Sequence, residues 1–474
     1  MKIFFIIPPN IHYIEPYAYT KADKSNMIRP HLGLLYVAAV LRQTLGIEVR
    51  IIDSNVDDIT LDDLKGIIAT ETPDIVGFSV LTFNLLNCLA VSRMIRENSP
   101  HSIICYGGWH PTLYPEETLK QNCVDYVIIG EGERTFTELV KAGNRKQKNF
   151  GQKLSEIKGL GYKTVDGKIR INIPREPVKN LDEIPFPAYD LIDTSKYSNL
   201  LANTDHVATI MTSRGCPHRC IFCDLRRKPY RYRSPGNIIE EIKFLAKSGA
   251  REFFIQDDNF TLSHERTIEF CKLLINANLN IKYKISSRID YLTNDLMKYL
   301  KQSGCYSIYL GVESGSQRML DYLEKEITLD QIKNAFQLTR KYGIDGCAYI
   351  MIGIPPETRS DIDKTMRLIK EIRPDHLHCS ICTPMPKTFL YKKLMKERLI
   401  KNDYWLEFAK NPDPNFKTPF KNLYFSDSEL RNMQNSIQKK FYFQPRIIFY
   451  EILKTKGWKQ FFSKAKMAFK IFCN

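Results

Sequence analysis

Three cysteines of this 474-residue chain lie close enough to act on one object. They fall in Ser213-Arg-Gly-Cys216-Pro-His-Arg-Cys220-Ile-Phe-Cys223, a Cys-x3-Cys-x2-Cys spacing. Three thiolates within a few residues can grip three corners of a cubane [4Fe–4S] cluster. An electron-transfer ferredoxin supplies four cysteines, whereas three leave one iron open to a small-molecule ligand. Zinc is the competing reading, with His218 completing a Cys3His set. His218 sits inside the ligand loop itself, where coordination together with its neighbours is sterically poor.

The other nine cysteines (Cys88, Cys105, Cys123, Cys271, Cys305, Cys347, Cys379, Cys382 and Cys473) are scattered, mostly in apolar runs, where a cysteine is a small buried hydrophobe. Cys379 and Cys382 form a second Cys-x-x-Cys, but no further Cys or His pair stands at zinc spacing from them. A reducing compartment keeps such thiols free.

Two alternating strand–helix series must position the cysteine loop. In residues 1–142, strands are expected at Lys2–Ile7, Glu48–Asp53, Asp74–Ser79, Ser102–Tyr106 and Asp125–Ile129. Amphipathic stretches such as Leu32–Leu45 and Leu85–Asn98 lie between them. This pattern is an α/β, doubly wound parallel sheet, a fold that binds ligands beyond the carboxyl ends of its strands. Residues 143–205 form a proline-broken linker with a hairpin over Gly159–Ile173. From 206 to 385 a second series follows: His206–Thr212, Glu252–Gln256, Lys282–Ser286, Tyr306–Gly311, Gly346–Ile352 and His376–Ile381. Six such units predict a partial (β/α)6 barrel with active residues at the strand ends. Residues 386–474 read as a basic, mostly helical C-terminal extension.

The segment Cys216-Pro-His-Arg-Cys220-Ile-Phe-Cys223 resembles the signature of the radical S-adenosylmethionine (SAM) superfamily. The resemblance implies that the open iron chelates the amino and carboxylate groups of SAM. One-electron reduction then yields methionine and a 5′-deoxyadenosyl radical. A reductase or flavodoxin would donate the electron. By the same resemblance Phe222 packs near the adenine. Gln256-Asp257-Asp258-Asn259, Ser286, Arg288 and Glu313 correspond to polar SAM contacts. Ile352-Gly353-Ile-Pro-Pro-Glu-Thr358 resembles the adenine-side loop. No residue is assigned as a catalytic acid, base or nucleophile.

The first domain resembles the cobalamin-binding domain that precedes many radical SAM barrels. The matching residues are Pro30-His31-Leu32-Gly33-Leu34-Leu35-Tyr36, Gly107-Gly108-Trp109-His110-Pro111 and Gly130-Glu131-Gly132-Glu133-Arg134-Thr135-Phe136. Glycines at strand ends let a large flat ligand approach the backbone. Gly33, Ser79, Gly107, Gly108, Gly130 and Glu131 are therefore expected at a cobalamin site. The Asp-x-His-x-x-Gly motif that ligates cobalt from below in other cobalamin folds is absent. A structural role without cobalamin is the alternative. Neither His31 nor His110 is assigned as a cobalt ligand.

Two chemistries follow from the family. One methylates an unactivated carbon, here of a hydrophobic or lipid-like substrate; the other closes a ring or rearranges a skeleton without methyl transfer. A regulator that binds cluster or cobalamin belongs to a different class, and the open iron argues against it.

The formal net charge is +16, and from Lys439 to Lys470 nine Lys/Arg face one acid, Glu451. A basic tail with interleaved Ile and Phe residues can lie on an anionic membrane or pack on the barrel with its lysines in water. The expected site is cytoplasmic, with peripheral membrane contact through that tail as one outcome. RNA is disfavoured as a substrate, because the N-terminal three-Cys domain and C-terminal RNA-binding barrel of the related methylthiotransferases do not appear.

Overall fold

The computed structural model describes residues 1–12, 14, 29–143, 149–197, 207–418 and 421–455. Its first sheet comprises β1 (Ile3–Ile7), β2 (Val49–Asp53), β3 (Ile75–Ser79), β4 (Ile103–Gly107), β5 (Tyr126–Ile128), β6 (Leu160–Lys163) and β7 (Ile169–Ile171). These run in the order β2-β1-β3-β4-β5-β6-β7. The first five strands pair in parallel, and consecutive residues of each strand point to opposite faces. Phe4, Ile6, Val76 and Ile104 pack against the helices Leu61–Glu71 and Leu85–Asn98. Ile3, Phe5, Ile75 and Cys105 pack against Leu32–Leu45 and Gly132–Ala142. Both faces are thus covered, as the apolar runs require.

The hairpin assigned to the linker from its sequence is part of this sheet. β6 pairs antiparallel with β5, and β7 with β6. The run into it, residues 144–148, lies outside the described residues.

The second sheet comprises β8 (Val207–Ile210), β11 (Glu252–Ile255), β12 (Lys282–Ser287), β13 (Cys305–Glu313), β14 (Asp345–Ile352) and β15 (His376–Ile381), all parallel and in chain order across the sheet. Two short strands, β9 (Ser213–Arg214) and β10 (Arg231–Tyr232), pair antiparallel and bracket the cysteine loop. Helices between the strands are capped by local chemistry: Ser234 accepts from the Asn237 N–H ahead of Pro235, and Thr328 and Gln331 form a capping box. Helix-facing residues such as Phe253, Ile285, Ile308, Ala348 and Leu377 join one large core. Leu32, Leu35 and Tyr36 of the first domain belong to that same core.

The edge strand β15 is covered by the helix Asp427–Tyr442. Gln434 donates to the Cys379 carbonyl (2.7 Å) and the Tyr442 hydroxyl to that of Leu377 (2.9 Å). Among the described residues no helix is long and apolar enough to cross a membrane. The part of the basic tail from 456 onward falls outside the described residues, as does His206; its start, the helix Pro445–Lys454, is described.

Candidate active site

The junction between β8 and the cysteine loop is locked before the loop begins. Asp257, just past β11 and buried, accepts from the backbone N–H groups of Thr212 (2.6 Å) and Ser213 (3.1 Å). It also accepts from the hydroxyls of Thr212 (2.5 Å) and Ser213 (2.6 Å). Its carboxylate is therefore occupied in holding the loop. Gly215 then turns the chain at φ 88°, where a Cβ would stand 2.2 Å from the Pro229 carbonyl oxygen. The loop folds back on itself through Lys228 N–H to the Cys216 carbonyl and Arg227 N–H to that of His218, both 2.9 Å. Ile221 ties it outward, donating to Leu323 (3.0 Å) and accepting from Leu390 (2.8 Å).

Cys220 is buried, and Cys216 and Cys223 are half-buried. Burial pushes all three thiols up, Cys223 to about 12. Thiolates at this position therefore need positive charge beside them. Lys325 and Arg288 supply some to Cys220, with the Arg288 guanidinium 3.7 Å from its sulfur. Arg288 is itself oriented by Asp290 (3.0 Å) and the Lys325 carbonyl (2.8 Å). Among the described residues no three His, Cys, Asp or Glu side chains converge on a point that one metal ion could fill. A cubane fits the donor set, since it takes each thiolate on a different iron. His218 engages the Tyr291 hydroxyl (3.2 Å).

The other expected SAM contacts are distributed around this loop. Glu313 holds a left-handed backbone (φ 61°) and pairs with buried Lys325 at 2.7 Å. Gly311 makes that pair possible, because a Cβ there would stand 2.6 Å from both charged atoms. The Lys325 ammonium also lies 6.0 Å from the centre of the Phe222 ring. Ser286 is half-buried on β12. Partial desolvation of its carboxyl, with Asp257 and Asp224 nearby, raises Asp258 to about 6. Gly353 (φ 76°) packs beneath Leu430 and donates to Glu357 (2.6 Å), while its neighbour Ile354 shares an apolar cluster with Ile221 and Phe222.

A separate cavity of about 210 Å³ opens at the carboxyl ends of β1, β3 and β4. Gly33, Ser79, Gly107, Gly108, Gly130 and Glu131 all line it, so the structure gathers residues spread over a hundred positions. Nothing lies within 4 Å of where a Cβ would stand at Gly33 or Gly130, which leaves bare backbone facing open space. A broad flat ligand fits such a wall. His110 is not part of the lining: it is buried, bonded to the Thr82 hydroxyl (3.1 Å), and burial lowers it to about 3.

Sequence reasoning passed over Met211 and Arg214, which line the same cavity from the barrel side. Arg214 pairs with Glu133 (2.7 Å) and Glu131 (3.3 Å), and Glu131 also binds Arg231 (2.6 Å). Burial would raise the Glu131 carboxyl, but Arg231 and Arg214 hold it below the usual range. Trp109 adds a second link, its indole N–H donating to Asp224 beside Cys223.

Comparison with known proteins gives the same two parts. Residues 210–369 match the radical SAM superfamily and residues 22–140 the B12 binding domain. The chain is 32% identical over 463 residues to an uncharacterized methyltransferase of Pyrococcus horikoshii, covering 97% of this chain and 96% of that one. It is 28% identical to the anaerobic magnesium-protoporphyrin IX monomethyl ester cyclase of Rubrivivax gelatinosus, covering 93% and 78%. Among solved structures, the cobalamin-dependent SAM radical enzyme OxsB, with aqua-cobalamin and SAM bound, superimposes with a TM-score of 0.69 at 19% identity over 98% of this chain and 70% of that one. At that identity the likeness concerns the fold.

Proposed function

This chain belongs to the radical SAM superfamily, in the branch that carries a B12-binding domain, and from that membership we propose a cobalamin-dependent methyltransferase acting on an unactivated carbon of a small molecule with an apolar body. Methyl transfer is favoured over ring closure because the methyltransferase relative matches over nearly the whole of both chains.

In this reading Cys216, Cys220 and Cys223 hold a [4Fe–4S] cluster, and Phe222, Ser286, Arg288 and Glu313 surround SAM. The cavity lined by Gly33, Gly107, Gly108 and Gly130 takes cobalamin. When bound, the cluster and SAM supply a hydrogen-abstracting radical and cobalamin carries the methyl group. The protein's own part is placement and charge. Arg288 and Lys325 offset the thiolate charge at Cys220, Asp257 fixes the start of the loop, and the Glu313–Lys325 pair presents a carboxylate oriented for an ammonium group. The single observation that carries the proposal is continuity: Arg214 lines the cavity, and Cys216 follows two residues later.

Anoxic purification with hydroxocobalamin should give a cobalamin absorption spectrum and an iron–sulfur chromophore. Incubation with SAM and dithionite should release 5′-deoxyadenosine. Cys220→Ala should lose iron and that product together. In cells, a metabolite one CH2 heavier in parent than in deletion strain supports methylation, and loss of two hydrogens assigns ring closure instead. Zinc in place of iron, or four sulfur ligands per cluster, would overturn the proposal.

A further inference from the structure

The face of the second sheet turned away from its helices has a composition unlike a packed barrel core. Phe254 on β11, Tyr309 on β13 and Cys347 on β14, with Tyr349 against them, form a cluster distinct from the helix-facing core. The rings make a continuous wall across the strands. Phe254 meets Tyr309 edge-on at 6.2 Å, Tyr309 stacks on Tyr349 at 5.7 Å and 26°, and Tyr349 meets His378 of β15 edge-on at 5.1 Å.

Two cations stand over one end of this wall. The Arg29 guanidinium lies 3.8 Å from the centre of the Phe254 ring, and the Lys284 ammonium lies 5.7 Å from the same point. Lys284 projects from β12 beside Phe254, its partner in the sheet register. Its side chain is 1% exposed, and its Nζ has no hydrogen-bond partner among the described residues. An ammonium is normally buried only when paired. The carboxylate that faces it, Glu252, accepts from the Tyr306 hydroxyl, and Asp345 beyond is paired with Lys454. Among the described residues Lys284 is thus a buried ammonium without a hydrogen bond, set against an aromatic wall.

We propose that the lumen is the substrate site and that Lys284, with Arg29, receives an anionic carboxylate or phosphate group while a flat conjugated portion lies against Tyr309 and Tyr349. This deepens the function proposed above and rests on it: it narrows the substrate from any apolar small molecule to an aromatic or conjugated acid. Stacked tyrosines offer a planar apolar surface, and a desolvated ammonium is a strong partner for an oxyanion. A neutral lipid would leave the ammonium as bare as it is now.

The test uses the full-length holoenzyme and small probes. Indole-3-acetate and phenyl phosphate are compared with the neutral indole-3-acetamide and phenol by thermal shift and calorimetric titration. The expected result is saturable stabilisation by one or both anions and none by the neutral compounds. Which anion binds distinguishes carboxylate from phosphate. Lys284→Met, which keeps the length and removes the charge, should weaken the bound anion roughly tenfold or more, and Lys284→Arg should retain most of the affinity. Equal binding of anionic and neutral probes by the unmodified enzyme, binding of none of them, or unchanged anion affinity in Lys284→Met, would overturn the inference. 5′-Deoxyadenosine release by the unmodified enzyme is measured alongside. Its absence sinks the proposed function, whereas its presence without anion selectivity sinks only the substrate class.

Discussion

Lys325 shows how much of the site is decided by single buried charges. Burial alone would lower its ammonium, but Glu313 and Cys220 raise it above the ordinary lysine value. Removing it by Lys325→Met leaves the Glu313 carboxylate largely buried and unpaired beside Cys220. Loss of one partner of a buried pair costs about 3 kcal/mol, to be read as a shift in urea midpoint. Glu313→Gln in the same background should recover most of that loss, and failure to recover would mean that the pair is not the source. Glu313 was legible in Gly311-Val-Glu-Ser-Gly-Ser316, where a polar residue closes a strand. Lys325 was not, because Leu323-Glu-Lys-Glu-Ile327 reads as solvated charge until the fold buries one of its members. Asp257 stands at a strand end as its sequence position indicates, but the four donors from Thr212 and Ser213 that claim its side chain have no local signal in the sequence.

At the scale of elements, two turns carry the chemistry of the loops. Gly215→Ala would bring a methyl group against the Pro229 carbonyl in a conformation that side chains rarely adopt. Such protein should keep its circular dichroism while losing iron on reconstitution, since the strands beneath do not depend on the turn. The loop after β14 is governed by Glu357, buried with one oxygen unpartnered among the described residues. Burial raises its carboxyl to about 8. An unfolded chain gives up that proton near pH 4.3, so between about pH 4.5 and 8 unfolding releases a proton and stability falls as pH rises. Glu357→Gln should remove this slope. Its advantage over the parent should grow to a few kcal/mol by pH 8 and then level off, as urea titrations at pH 5 and pH 8.5 would reveal. The periodicity of the chain made most strands and helices readable, for burial on one face is written directly into residue order. The hairpin of β6 and β7 was seen but not assigned to its sheet, because a three- or four-residue strand does not encode which edge it joins.

Across the whole molecule, the two sheets behave as one body. Leu32, Leu35 and Tyr36 of the first domain lie in the barrel's core, and Arg214 and Asp224 of the cysteine loop are held by Glu131, Glu133 and Trp109. Calorimetry should therefore record a single unfolding transition. Arg214→Ala should lower its midpoint by the equivalent of about 3 kcal/mol, because Glu133 is left buried, while the transition stays single. Two resolved transitions in the parent protein would contradict this coupling. None of these cross-domain partners could be paired from sequence, since they join positions about a hundred residues apart without any local periodicity.

The burial of most of the other described cysteines has a practical corollary. Cys88, Cys105, Cys123, Cys271, Cys305, Cys379 and Cys382 are all enclosed in the interior, where neither oxidant nor alkylating reagent reaches them without unfolding. Damage to emptied protein in air thus falls, among the described residues outside the lumen, on Cys216 and Cys223. The fraction of chains modified there by a thiol reagent is a built-in gauge of how much of a preparation has lost its cluster.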